Sequence, residues 1–200
     1  GYVSDTPIIE GKEVTLYRTK ETSPELLKVL PDDIIRFFSY DSANDMYIEL
    51  LGMIKNDLEV EQLLPRDIMI IDMDTFDYGD NRLKLSRLKS RINKEATKDA
   101  EWDDEVKYPY EFSLHTAGAA NPEDFFRDDS VVYSSVRRAK GNETFMIYIV
   151  NAQKCVNSLQ RRSDRNGLFT AITRSKGLVR VLGYGEDMEI LNQEFEEIKN

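Results

Sequence analysis

The 200-residue sequence holds one cysteine, Cys155, and one histidine, His115. A lone cysteine cannot close an internal disulfide, and one histidine beside it leaves no set of ligands for a zinc cluster. Both are read as packing residues, and no metal site is expected. The sequence also lacks a G-x-x-x-x-G-K-[ST] phosphate loop and an apolar strand ending in Asp-Glu, so the principal half of an ATP site is not in these residues. No apolar run approaches the roughly 20 residues that span a bilayer. The opening GYVSDTPIIEGK has neither the basic nor the apolar region of a signal peptide. No membrane partner is therefore expected, and a cytoplasmic location is. With six prolines and ten glycines the chain is neither collagenous nor of low complexity. The single tryptophan, Trp102, stands in an acidic stretch and reads as a local anchor.

The formal charge is −10, the wrong sign for a protein that holds nucleic acid by its overall field. The charge is unevenly spread. Acid concentrates at 41–77, at 99–111 and in the last fifteen residues, whereas 136–180 holds ten Arg or Lys against two acids. A basic face on an acidic body is compatible with that pattern.

Apolar spacing gives the order of elements. Lys12 to Arg18 alternates as a strand does, and Pro24 opens a short helix, PELLKVL. Asp33 to Ser39 is a β-rich run. Ser42, with Asp45 three residues on, marks a helix start, and residues 43–57 carry helical periodicity. DIMIID at 67–72 has the continuous apolar character of a strand buried on both faces. The acids that follow it, Asp72, Asp74 and Asp77, read as caps. A helix is expected over 81–94, with Leu83, Leu85, Leu88 and Ile92 inward and six Arg or Lys residues outward; that cationic face reads as a solvated one.

A strand over Glu111 to Thr116 comes next. Val131 to Asn151 reads as a strand, a basic turn built on Arg137, Arg138, Lys140 and Gly141, and a second strand. Such a turn suits an anionic ligand at the carboxyl ends of a parallel sheet. Residues 152–164 contain a short helix, and Asp164 caps another over NGLFTAITRSK. A strand at Leu178 to Gly183 and an acidic helix over 186–199 finish the chain. This alternation predicts an α/β protein with a mainly parallel sheet flanked by helices. One domain is expected over 1–200, with 1–30 as a lead-in and 96–111 as an exposed acidic connection.

Two segments stand out together: RRAKGNE at 137–143 and TAITRSK at 170–176. Through Ser135, Ala139, Lys140, Gly141 and Glu143 the first resembles motif V of superfamily 1 helicases of the UvrD/PcrA/Rep type. Through Ala171, Ile172, Thr173 and Arg174 the second resembles motif VI of the same family. The resemblance is specific over about 130–185. It implies a RecA-like second motor domain, close to the C-terminus of an ATP-dependent DNA or RNA helicase.

What the resemblance implies for single residues is as follows. Arg174 is the arginine finger, the catalytic residue this chain would supply. Lys140, Gly141, Glu143 and Arg174 contact ATP, with Glu143 on the ribose. Ser135, Arg137 and Arg138 contact nucleic acid. ATP with Mg2+ would be the ligand of the full-length enzyme and none is expected for this chain alone. The implied partners are an N-terminal RecA-like domain of the same polypeptide and single-stranded DNA or RNA. Arg138, Asn142 and Gly167 depart from the family pattern. Tyr17-Arg18-Thr19 is similar to the family's motif IV, although it closes an expected strand. The alternative is a non-catalytic RecA-like module that binds protein or nucleic acid.

Overall fold

The computed structural model of the chain describes residues 3–4, 15–17, 31–74, 77–98, 109–117, 124–156 and 161–199. Two short strands, β1 (Val3–Ser4) and β2 (Leu16–Tyr17), pair antiparallel and stand apart from the main sheet. They hold the described part of the strand expected at 12–18. Arg18, Thr19 and the helix expected from Pro24 lie outside the described residues, as does Trp102.

A helical turn, α1 (Pro31–Ile34), runs straight into β3 (Ile35–Tyr40). Ser42 then caps α2 (Ala43–Glu59), its Oγ accepting from the Asp45 N–H at 3.2 Å. Strand β4 (Ile68–Asp72) is buried at every position, as its unbroken apolar run requires. Helix α3 (Tyr78–Lys98) is longer at both ends than the 81–94 its periodicity predicts. It absorbs residues 96–98, which corrects the start of the expected acidic connection; residues 99–108 lie outside the described set. The chain returns at Tyr110, whose N–H donates to Asn93 Oδ1 at 3.2 Å while Asn93 Nδ2 donates to the Tyr110 carbonyl at 3.1 Å.

The second half holds β5 (Ser113–Thr116), β6 (Ser130–Ser135), the single turn α4 (Val136–Ala139), β7 (Thr144–Val150), α5 (Arg161–Ile172), β8 (Ser175–Tyr184) and α6 (Glu186–Lys199). Three expectations need correcting. The short helix expected after Asn151 is a 3-10 turn over Ala152–Cys155. Asp164 is not a cap, because α5 begins three residues earlier and Asp164 sits in its first turn, where a carboxylate complements the helix dipole. Nor does α5 run to Lys176. It stops at Ile172, because Ser175 and Lys176 already belong to β8, whose amino end pairs with Thr144.

The main sheet has six strands in the order β3-β8-β7-β4-β6-β5, and every pairing in it is parallel. This is the helix-flanked parallel α/β sheet that the alternation predicts. The apolar run of β4 serves both faces, because successive side chains of a strand point to opposite sides. Ile68 and Ile70 pack with Leu50 and Ile54 of α2 and Leu85 of α3. Met69 and Ile71 pack with Ala139 of α4, Leu168 and Ala171 of α5, and Met188 and Leu191 of α6. Helices α2 and α3 thus cover one face, and α4, α5 and α6 the other.

Candidate functional site

The turn that carries Lys140, Gly141 and Glu143 is closed by the Asn142 N–H, which donates to the Ala139 carbonyl at 3.0 Å. Gly141 has φ +91° there, a conformation that a side chain would strain, while an added Cβ would meet nothing within 4 Å. Glycine is therefore used for its backbone freedom rather than for lack of room. Asn142, a departure from the helicase pattern, completes the turn: its Nδ2 donates to the Arg138 carbonyl at 3.4 Å.

Glu143 ends this turn and Arg174 follows α5. The pairing of Thr144 with Ser175 sets the two residues side by side at the amino ends of β7 and β8. The Arg174 carbonyl accepts from the Thr144 N–H at 3.1 Å. The Arg174 guanidinium lies 3.8 Å from Glu143 Oε1, with 18% of the arginine side chain and 49% of the glutamate side chain exposed. It is folded back over the end of α5, where Nε donates to the Thr170 carbonyl at 3.1 Å and one terminal nitrogen donates to Thr173 Oγ1 at 3.2 Å. Thr173 Oγ1 itself donates to the Thr170 carbonyl at 3.0 Å. The sequence reading gives Thr170 and Thr173 no role in orienting the arginine; their spacing of three beside it is the signal that could have found them. A bulge adjoins the pair. The register between β7 and β8 shifts between Thr144 and Met146, and Ser175 Oγ accepts from the Gly177 N–H at 3.0 Å. Gly177 is needed for space, since a Cβ there would stand 2.6 Å from the Phe145 ring.

This location corrects the expectation of an anion site at the carboxyl ends of the strands. The glycine turn leads into the amino end of β7, because a parallel crossover must return the chain to the edge from which the next strand starts. The segment 136–139 is a helical turn, so Arg137 and Arg138 precede the tight turn that Lys140 and Gly141 make. Ser135 does sit at a carboxyl end, paired with Asp72. Arg137 and Arg138 follow it in α4, where the Arg138 guanidinium donates to the Ala117 carbonyl at 2.8 Å. Ser135 and the Glu143–Arg174 pair thus lie at opposite edges of the sheet, about 20 Å apart for a strand of seven residues, and Arg137, Arg138 and Lys140 follow one another on the short connection between those edges. Of the expected site residues, the structure brings Glu143 and Arg174, both assigned to ATP, side by side.

The carboxyl edge holds a network that the sequence did not disclose. Asp72, fully buried, accepts four hydrogen bonds: from Tyr133 Oη at 2.7 Å, Asn151 Nδ2 at 2.8 Å, Asn81 Nδ2 at 3.1 Å and the Asp74 N–H at 2.9 Å. Burial still pushes its carboxyl above the usual carboxylate range, against the pull of these donors. Asp74 Oδ1 accepts from the Asp77 N–H at 3.1 Å, and its other oxygen lies 3.3 Å from Lys154 Nζ. These acids brace the turn from β4 into α3, the capping role expected of them. Among the described residues no group of three or more His, Cys, Asp or Glu is placed to hold a metal ion. A second buried carboxyl, Asp57, accepts from Tyr148 Oη at 2.6 Å, and desolvation raises its pKa too. His115 and Cys155 pack as expected. His115 Nε2 bonds the Asp124 carbonyl at 2.8 Å, and Cys155 is fully buried, its thiol pushed up to about 12 by desolvation.

No protein-family model matches the sequence, and no curated protein matches it. Among solved structures, the chain is similar to the C-terminal domain of a possible DNA helicase from Lactobacillus plantarum WCFS1, at 16% identity and a TM-score of 0.47, over 78% of this chain and 77% of that one. Among the described residues no helix is long and apolar enough to cross a membrane.

Proposed function

We propose that this chain is the C-terminal, RecA-like motor domain of a superfamily 1 ATP-dependent helicase, acting on DNA or RNA. The observation that carries the reading is the Glu143–Arg174 contact. Two motifs 31 residues apart, matched independently in the sequence, fold into neighbouring turns with an arginine and a carboxylate 3.8 Å apart. That distance exceeds a hydrogen bond. The guanidinium is oriented by Thr170 and Thr173, yet its remaining donors stay available to a phosphate.

In this reading the phosphate loop and the Mg2+ ligands belong to an N-terminal RecA-like domain of the parent polypeptide. Lys140, Gly141 and Glu143 complete the nucleotide site, Glu143 by accepting from the ribose. Arg174 offsets charge that develops on the transferred phosphoryl group, a contribution of roughly 10³–10⁵ in rate in related nucleotide hydrolases. Ser135, at the carboxyl edge, and Arg137 and Arg138, on the turn that follows it, contact the backbone of a single strand, so that closure of the interdomain cleft moves that strand.

The test is Arg174→Ala in a polypeptide that includes the upstream domain. Nucleic-acid-stimulated ATP hydrolysis should fall by about 10³ or more, with nucleotide affinity changed far less. Hydrolysis within a few-fold of the unmodified enzyme would sink the assignment. The 200 residues alone should not hydrolyse ATP.

A further inference from the structure

Helix α3 carries six cations between Asn81 and Lys94 and not one acid. Four of them, Lys84, Arg87, Arg91 and Lys94, are exposed and follow one another at intervals of three, four and three residues. At 1.5 Å per residue they form one straight stripe about 15 Å long. Leu83, exposed rather than inward as its spacing suggests, lines a shallow groove along it with Ser86, Arg87, Ser90, Arg91, Lys94 and, at one end, Glu95. The stripe lies on the helix that covers the face opposite α5, away from Arg174.

Taken alone, the arrangement is unfavourable to the helix. Like charges three and four residues apart on a helix oppose one another. Two other described helices differ. Helix α2 pairs Lys55 with Glu59, and α6 opens with Glu186, Asp187 and Glu189, the sign its dipole favours. On α3 the first acid past Asp80 is Glu95, which lies 4.0 Å from Arg91 with both side chains more than half exposed.

We propose that this face of α3 is a contact surface for the phosphate backbone of a nucleic-acid duplex. A duplex presents one negative charge per about 1.7 Å of its axis, so a rigid 15 Å row of cations meets several phosphates at once. The serines between the cations add neutral donors. No aromatic residue occurs between 82 and 95 to stack unpaired bases, which argues for a duplex rather than a single strand. The surface needs neither ATP nor Arg174, so it stands or falls apart from the motor reading.

The experiment measures binding of this chain to a labelled mixed-sequence DNA duplex by fluorescence anisotropy, between about 50 and 200 mM salt. Replacing Lys84, Arg87, Arg91 and Lys94 together by alanine should weaken binding at the lowest salt by at least about tenfold. It should also reduce the slope of log affinity against log salt by about 3 to 4, near 0.9 for each phosphate no longer neutralised. A control that removes equal charge elsewhere, Arg36→Ala, Lys55→Ala, Arg66→Ala and Lys176→Ala together, should leave the slope nearly intact. Alanine favours helix, and a second variant with glutamine at the four α3 positions should behave alike.

Equal losses in the α3 and control variants would overturn the proposal, as would no duplex binding by the unmodified chain at the lowest salt. Displacement of the duplex by polyglutamate at matched charge would assign the stripe to an acidic protein instead. A rise in thermal stability on removing the stripe, together with lost duplex binding, is the expected mark of charges retained for a partner.

Discussion

Glu143 and Arg174 face each other at 3.8 Å across the amino ends of two adjacent parallel strands, one reached through a glycine turn and the other from the end of a helix. Both are partly open to solvent, so the ion pair itself contributes little to folding, about 0–1 kcal/mol. Glu143→Gln should therefore leave the urea midpoint of this chain nearly unchanged. In a polypeptide with the upstream domain it should raise KM for ATP more than it lowers kcat. A large loss of stability with unchanged KM would make the contact structural.

Thr173 tests how Arg174 is oriented. Thr173→Val keeps the shape but deletes the acceptor for the guanidinium and the donor to the Thr170 carbonyl. ATPase should fall about tenfold, the loss of one or two hydrogen bonds of roughly 1 kcal/mol each, and Thr173→Ser should restore it. Failure of serine to rescue would remove the hydroxyl from the argument.

The Asp72 network predicts an asymmetry. Asp72→Ala takes the shared carboxylate away from Asn151, Asn81 and Tyr133 and should cost about 3 kcal/mol or more. Asp72→Asn keeps part of the bonding and should cost less. Urea unfolding followed by circular dichroism separates the two.

Asp57 and Asp72 also fix a sign for pH. Each folded-state pKa is raised by burial above its ordinary 3.8, so the folded protein takes up the proton before the unfolded chain does. As pH falls from neutral through the raised values towards 3.8, these two groups increase stability, and below 3.8 their contribution is constant. Thermal unfolding compared with Asp57→Asn should reveal it: the variant's stability relative to the parent should decline as pH is lowered. A variant whose advantage grew on acidification would contradict the shift.

Two glycines should respond oppositely to alanine. At Gly167, inside α5, a Cβ would stand 3.4 Å from the flexible end of Met73, an ordinary contact, and the helix should gain about 0.5–1 kcal/mol. At Gly183 it would stand 2.6 Å from Met188 Sδ and 2.8 Å from Gln153 Oε1, so Gly183→Ala should lower the melting temperature.

The tertiary structure also accounts for the places where local sequence signals mislead. Asp164 has the chemistry of a cap, but α5 has already begun at Arg161, and a carboxylate suits the first turn as well as the cap position. The TRSK run has helical propensity, yet Ser175 is taken by its pairing with Thr144, and sheet hydrogen bonds override a weak local preference. Asp72, read only as a cap, gathers Asn81, Tyr133 and Asn151 from positions 9, 61 and 79 residues away. Local periodicity carries no trace of such partners.

The sequence by itself determined the parallel helix-flanked sheet, because alternating periods of two and 3.6 leave few other ways to bury both faces of DIMIID. It also supplied the pairing of two motifs through their residue types and order. Only the tertiary structure decided that Glu143, at the end of the glycine turn, lies at the amino edge against Arg174 and a strand's length from Ser135. That placement depends on which strands become neighbours and in what register, a matter of long-range packing rather than of local spacing.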